Sequence, residues 1–278
     1  MIDADNRLVR PGAAGSPGAV RIPWLWLCAA GLAAVFLLAP WPLAHKAHSM
    51  LHGLCAQRPS HSLTLGGQAL PFDARMTGIY GGFATASVYL LARGRYRVFR
   101  HPTPVVATLL ALFVAVLAVD GSNALLVDLG RTPLYEPDNR IRLATGLLTG
   151  TALAVALCYM TATTLWKRGD WSRRTVSGVG EGLVLVAIQA PFAAAALSGA
   201  GALHGPLSLL LVGAAAAAIG LIVLNAVVLG AGRDRSYEDA AGIQGVAAAS
   251  LLGGVAVMAA IAACRFWLET TYGLRKLP

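Results

Sequence analysis

Pro206 to Ala231 reads PLSLLLVGAAAAAIGLIVLNAVVLGA, 26 residues without one charge. A helix needs about 20 apolar residues to cross the hydrocarbon core of a bilayer, and this run exceeds that length. Six further apolar segments flank it, at 23–43, 77–92, 102–120, 143–166, 178–198 and 243–264. The whole chain agrees with that reading: of its 278 residues 56% are hydrophobic and 13% charged, and its mean hydropathy is +0.64. Soluble domains carry about 25% charged residues. A soluble globule, a disordered chain and a disulfide scaffold are all disfavoured. The expected fold is all-α: a polytopic transmembrane bundle of about seven spans.

Trp24, Trp26 and Trp41 flank the first segment, and Phe266, Trp267 and Tyr272 follow the last, as interfacial anchors do. The later segments are rich in Ala and Gly, with Ala214 to Ala218 unbroken, and the fourth contains Gly146-x-x-x-Gly150. Small residues let helices approach closely in lipid, although a G-x-x-x-G match is common enough that no dimer is assigned to it. No internal repeat is evident, so an inverted-repeat transporter is not supported.

With seven spans, 13 of the 22 Lys and Arg residues fall on one side and nine on the other. The clusters Arg93/Arg95/Arg97/Arg100 and Lys167/Arg168/Arg173/Arg174 dominate, and the positive-inside rule places them and the N-terminus in the cytoplasm. Residues 1–22, with Arg7, Arg10 and Arg21, then read as a flexible cytoplasmic tail before a retained first helix. Partners on this reading are the lipid bilayer and other membrane subunits. Nucleic acid is not expected, because it would need far more basic surface. The two longest loops, 44–76 and 121–142, come to lie outside.

The first outer loop holds His45, His48, His52 and Cys55, which would share one face if a helix ran through 45–55. With His61 and Asp73 nearby, a set of His48, His52, Cys55 and Asp73 offers nitrogen, sulfur and oxygen to a metal such as zinc. The other reading is an interfacial helix without metal. Cys28, Cys158 and Cys264 lie in or beside apolar runs, and no C-x-x-C occurs. Arg75 is expected to pair with Asp73 or Asp120, with Arg58 as a second candidate, in a structural ion-pair network. Asp120-Gly121 and Asp138-Asn139 read as turn and cap residues closing one span and opening the next. Within the apolar segments Glu181, Gln189, Asn225 and Gln244 are the polar exceptions. Glu181 is a relay candidate, and Gln189 and Asn225 suit bonds between helices. His204 has no evident partner.

Cys55-Ala56-Gln57-Arg58-Pro59, followed by Ala74-Arg75-Met76-Thr77-Gly78-Ile79-Tyr80, Asp120-Gly121, Asn139, Arg142, Thr145 and Gly146, resembles the bacterial and archaeal membrane proteins grouped as domain of unknown function 2085. The family pattern is C-H-Q-R-P, then C-A-R-C-T-G-x-Y, then Asp-Gly, then N-x-x-R-x-x-T-G. The resemblance covers about 45–150, inside a four-span region 23–176, and leaves 178–278 as a three-span extension. It implies a prokaryotic plasma-membrane protein with a Cys/His metal or redox site on the outer face. Here only Cys55 of that set remains: Ala56, Asp73 and Met76 stand where the family has His, Cys and Cys. The family's closed site should therefore not form in this chain.

Three functions stay in view. The favoured one is a non-catalytic structural or accessory subunit of a membrane assembly. The second is a metal- or thiol-dependent enzyme or metal handler acting on the outer face, and the third a small-solute or proton-coupled transporter using Glu181, Gln189 and Asn225. Whether the chain is an enzyme, and whether it carries any cofactor, is left open by the sequence.

Overall fold

A computed structural model describes residues 23–273. The tail expected at 1–22 lies outside the described residues. The helices are α1 (Trp24–Leu38), α2 (Leu43–Leu51), α3 (Ala74–Ala92), α4 (Pro104–Asp128), α5 (Asn139–Leu165), α6 (Val179–Ala187), α7 (Ala190–Leu197), α8 (His204–Gly230) and α9 (Gln244–Tyr272). Five stretches are long and apolar enough to cross a membrane: Pro104–Asp128, Asn139–Leu165, Val179–Leu197, Gly201–Gly230 and Gln244–Tyr272. The 15-residue α1 is apolar but shorter.

Local chemistry sets the boundaries. Asp73 caps α3 by accepting from Met76 N at 2.8 Å, and Asp138 caps α5 by accepting from Arg140 N at 2.5 Å. Thr103 caps α4, whose first residue, Pro104, sits where the absent N–H costs nothing. The stretch 179–197 is broken into α6 and α7 just before Pro191, which has no N–H to continue the ladder.

The closest helix pair is α3 with α5. Gly78 and Gly82 of α3 lie on Gly146, Leu147 and Gly150 of α5, and a Cβ on any of the four glycines would overlap backbone of the opposite helix. The G-x-x-x-G of α5 thus packs inside the chain, against a second G-x-x-x-G in α3. Gly254 of α9 meets Gly220 of α8 in the same manner. One buried core joins α3, α5, α7 and α8, through Phe83, Leu147, Phe192 and Leu211, with Met258 of α9. By contrast α1 buries no residue and touches α9, where Leu25 N donates to Gln244 Oε1 at 3.2 Å.

The connections sort into two ends. At one end lie α2, an antiparallel hairpin of β1 (Ser62–Leu65) and β2 (Gln68–Asp73), residues 129–138 and 199–203, and the last turns of α9. Gly66 and Gly67, both at positive φ, make the hairpin turn. Gly66 N bonds Gly199 O, Asn139 Nδ2 bonds Ser60 O, and Arg265 reaches carbonyls at His52 and Cys55. At the other end β3 (Val98–Arg100) pairs in parallel with β4 (Asp170–Arg174), Trp166 bridges to Tyr237, and Arg97 and Lys167 reach Glu238. This basic end gathers Arg93, Arg95, Arg97, Arg100, Lys167, Arg168, Arg173, Arg174, Arg233 and Arg235.

Three expectations are corrected. Asp120-Gly121 does not close a span, because α4 continues to Asp128 with Asp120 paired inside the bundle. The helix expected over 45–55 stops at Leu51, so Cys55 is off the histidine stripe. The last helix runs to Tyr272, which places Arg265 and Glu269 on α9.

Candidate functional site

At the hairpin end Cys55 is buried against the start of α3. Its Sγ accepts from the backbone N–H of Gln57 and of Asp73, each at 3.4 Å. Positions 55, 73 and 76 therefore converge, with Asp73 capping Met76 N rather than offering its carboxylate outward. Burial, and then the Asp73 charge, push the Cys55 thiol up to about 12, outweighing the two N–H groups that favour the thiolate.

Gln57 holds the chain here at φ +54°. Its Nε2 donates to Pro71 O at 2.8 Å and His48 O at 2.9 Å, which fixes its Oε1 as the acceptor for His52 Nδ1 at 2.8 Å. His52 Nε2 faces Glu269 Oε2 at 2.9 Å, and its ring stacks on Phe266 with centroids 4.2 Å apart. Arg265 closes the group, donating to Glu269 Oε1 at 2.8 Å and to His52 O at 2.6 Å. Both His52 nitrogens thus face partners inside the hairpin end, Gln57 and Glu269. His48 is exposed, its ring 6.3 Å from that of His52. Partial desolvation by the packed atoms on its inner side, and then the neighbouring His52, lower its pKa. His45 is exposed as well. Among the described residues no three His, Cys, Asp or Glu side chains are grouped so as to hold a metal ion.

The remaining motif positions build the same end. Arg75 Nη2 meets Asp120 Oδ2 at 2.6 Å, and Tyr135 Oη donates to Asp120 Oδ1 at 2.7 Å. Gly121 lies against the Arg75 guanidinium. Arg58 pairs with Asp128 at 2.6 Å, the two side chains 40% and 32% exposed. Pro59 starts the turn into the hairpin. Ala74 is buried, Thr77 Oγ1 donates to Phe72 O, and Tyr80 stacks on Phe72. Arg142 Nη1 donates to Asn139 Oδ1 at 2.8 Å, and Thr145 Oγ1 to Arg142 O.

Inside the bundle Gln189 joins three helices: Nε2 donates to Thr151 Oγ1 at 3.0 Å, and Thr85 Oγ1 donates to its Oε1. Asn225 Nδ2 donates to Thr161 Oγ1 at 2.9 Å, linking α8 to α5. Glu181 lies in the first turn of α6, near the basic end. Arg95 holds both its carboxylate oxygens, at 2.7 and 2.9 Å, and Ser177 N donates at 2.6 Å. His204, for which the sequence suggested no partner, meets Ala69 O of the hairpin at 3.0 Å.

Sequence reasoning missed Arg265 and Glu269. The signal available was two opposite charges at i, i+4 in a segment otherwise apolar. No curated protein and no solved structure matches the chain. From Cys55 into α5, the motif residues form one continuous part of the bundle and its hairpin end, and residues 55–156 match the model of the family described as predicted membrane protein, DUF2085, the family those motifs resemble.

Proposed function

We propose that this protein crosses the prokaryotic plasma membrane seven times, with its N-terminus in the cytoplasm, and serves as a non-catalytic accessory or structural subunit of a membrane assembly. Support for the topology comes from the connections, which alternate between two ends along the chain. Seven passes include α1 and α3 beside the five longer stretches, and the basic end is then cytoplasmic.

One observation carries the functional reading: the residues best suited to chemistry are spent on holding the hairpin end together. Cys55 accepts two backbone hydrogen bonds with its thiol raised to about 12. A thiol enzyme needs a thiolate near neutral pH. A metal handler needs free imidazole nitrogens, and both nitrogens of His52 are engaged. The test is extraction from native membranes in mild detergent after brief cross-linking. A partner protein in fixed stoichiometry is expected. A lone chain with no partner, before and after cross-linking, contradicts the reading.

A further inference from the structure

Among the described residues Arg142 is a buried cation with no carboxylate paired to it. Its residue is 5% exposed. It occupies the first turn of the 27-residue α5, where the helix dipole is positive and a cation is disfavoured. Nη1 donates to the neutral Asn139 side chain at 2.8 Å, Nε is buried without any acceptor, and Nη2 makes no hydrogen bond among the described residues. Neighbouring acids are engaged elsewhere: Asp120 with Arg75 and Tyr135, Asp128 with Arg58, and Asp138 with Arg140 N.

Two other buried arginine Nε atoms lack acceptors, those of Arg95 and Arg97. Their guanidinium groups are nonetheless compensated. Arg95 holds Glu181, while Arg97 lies 4.2 Å over the Trp166 ring and donates to Glu238 O. Among the described residues Arg142 has neither a carboxylate nor a ring against it.

Asn139 Nδ2 bonds Ser60 O at 3.2 Å, which ties the first turn of α5 to the Pro59–His61 turn. On that turn burial, and then the Arg142 charge, lower the His61 pKa, while Asp128 and Asp73 act against them and Arg58 with them. A buried guanidinium is tolerated when an anion meets it, and its planar fork suits phosphate oxygens.

We infer that Arg142, together with the first turn of α5 and His61, binds a phosphate-type oxyanion at the hairpin end. The apolar run of α5 begins at Leu143, which puts the site at headgroup depth in a bilayer. The phosphate can therefore come from an anionic lipid or from solution. This goes beyond the accessory-subunit reading, and a lone chain in the cross-linking experiment would leave it standing.

The test uses full-length protein in an uncharged detergent. Bound phosphorus per chain is measured after detergent exchange. Thermal unfolding is then followed with inorganic phosphate against chloride at equal ionic strength, and with short-chain phosphatidic acid against the matching diacylglycerol. The wild type is expected to unfold several degrees higher with a phosphate-bearing probe, or to retain phosphorus after exchange. A response to inorganic phosphate marks a soluble anion, and a response to phosphatidic acid alone marks a lipid. Arg142→Met is expected to lose the response. Should that variant fail to fold, Asn139→Asp keeps the test, because it places a carboxylate where Nη1 already donates. It is expected to unfold higher than wild type without anion and to gain nothing from phosphate. A wild type that carries no phosphorus and responds to neither probe overturns the inference, as does an Asn139→Asp variant that responds like wild type.

Discussion

Helices α4 and α5 are neighbours of similar length, and both are apolar enough to cross a membrane. Yet 56% of the most apolar window of α5 is buried within the protein, against 11% for α4, although α4 is the more apolar of the two. In a soluble protein the order would be reversed. In lipid, apolarity gains little from protein contact, and burial goes to the helix that can pack closely or bond across a seam. α5 offers Gly146, Gly150 and Thr151 to its neighbours, whereas α4 offers lipid its valines and leucines and keeps Asp120 and Asn123 for the bundle.

The largest test of that contrast is in the glycine seam. Gly78→Leu or Gly146→Leu would drive a side chain into the backbone of the facing helix, which has no flexible end to yield. Each is expected to cost about 3 kcal/mol or more, or to abolish folded protein, read as monodisperse yield and detergent unfolding. Next comes Asp120→Ala, which strips Arg75 and Tyr135 of their shared partner. Its carboxylate is 2% exposed and the Arg75 side chain 23%, so a loss of about 2 kcal/mol is expected in the same unfolding measurement. Breaking the half-open pair by Arg58→Ala should cost no more than about 0.5 kcal/mol. Leu112→Ala on α4, at a residue 53% exposed, should also stay within about 0.5 kcal/mol. If the α4 substitution costs as much as the seam substitutions, the contrast fails.

A pH series sharpens the hairpin end. The folded Cys55 thiol is raised from 9.0 to about 12, so the native state holds that proton more tightly than the unfolded chain. This contribution is complete below pH 9 and is lost as the pH climbs towards 12. Unfolding of wild type should therefore steepen with alkalinity over that window relative to Cys55→Ser, which has no thiol to titrate. Parallel curves would show that Cys55 is not buried as described.

What could be read from the sequence were the features with local causes. Uncharged runs give the apolar segments, Asp138 before Asn139 gives a cap, and the Arg clusters fall together at one end. The missing features depend on partners far along the chain. Asp120 looks like a helix end until Arg75, 45 residues earlier, is seen to neutralise it. Arg265 and Glu269 look like a terminal loop until His52 and the carbonyls near Cys55 receive them. Gly66-Gly67 between Leu65 and Gln68 did carry a hairpin signal, and Pro191 signalled the break between α6 and α7. Of the hairpin-end residues, the sequence suggested a stripe through His48, His52 and Cys55. The end of α2 at Leu51 turns His52 inward and moves Cys55 beside Asp73.

The central claim is that Cys55, His52 and Asp73 hold structure and carry no metal chemistry. The direct measurement is elemental mass spectrometry of wild type and Cys55→Ala, purified without chelator and without an affinity histidine tract, alongside their detergent unfolding. The account predicts no transition metal near one per chain in either protein, and a lower unfolding temperature for Cys55→Ala. One metal per chain in wild type, lost in Cys55→Ala, would contradict it.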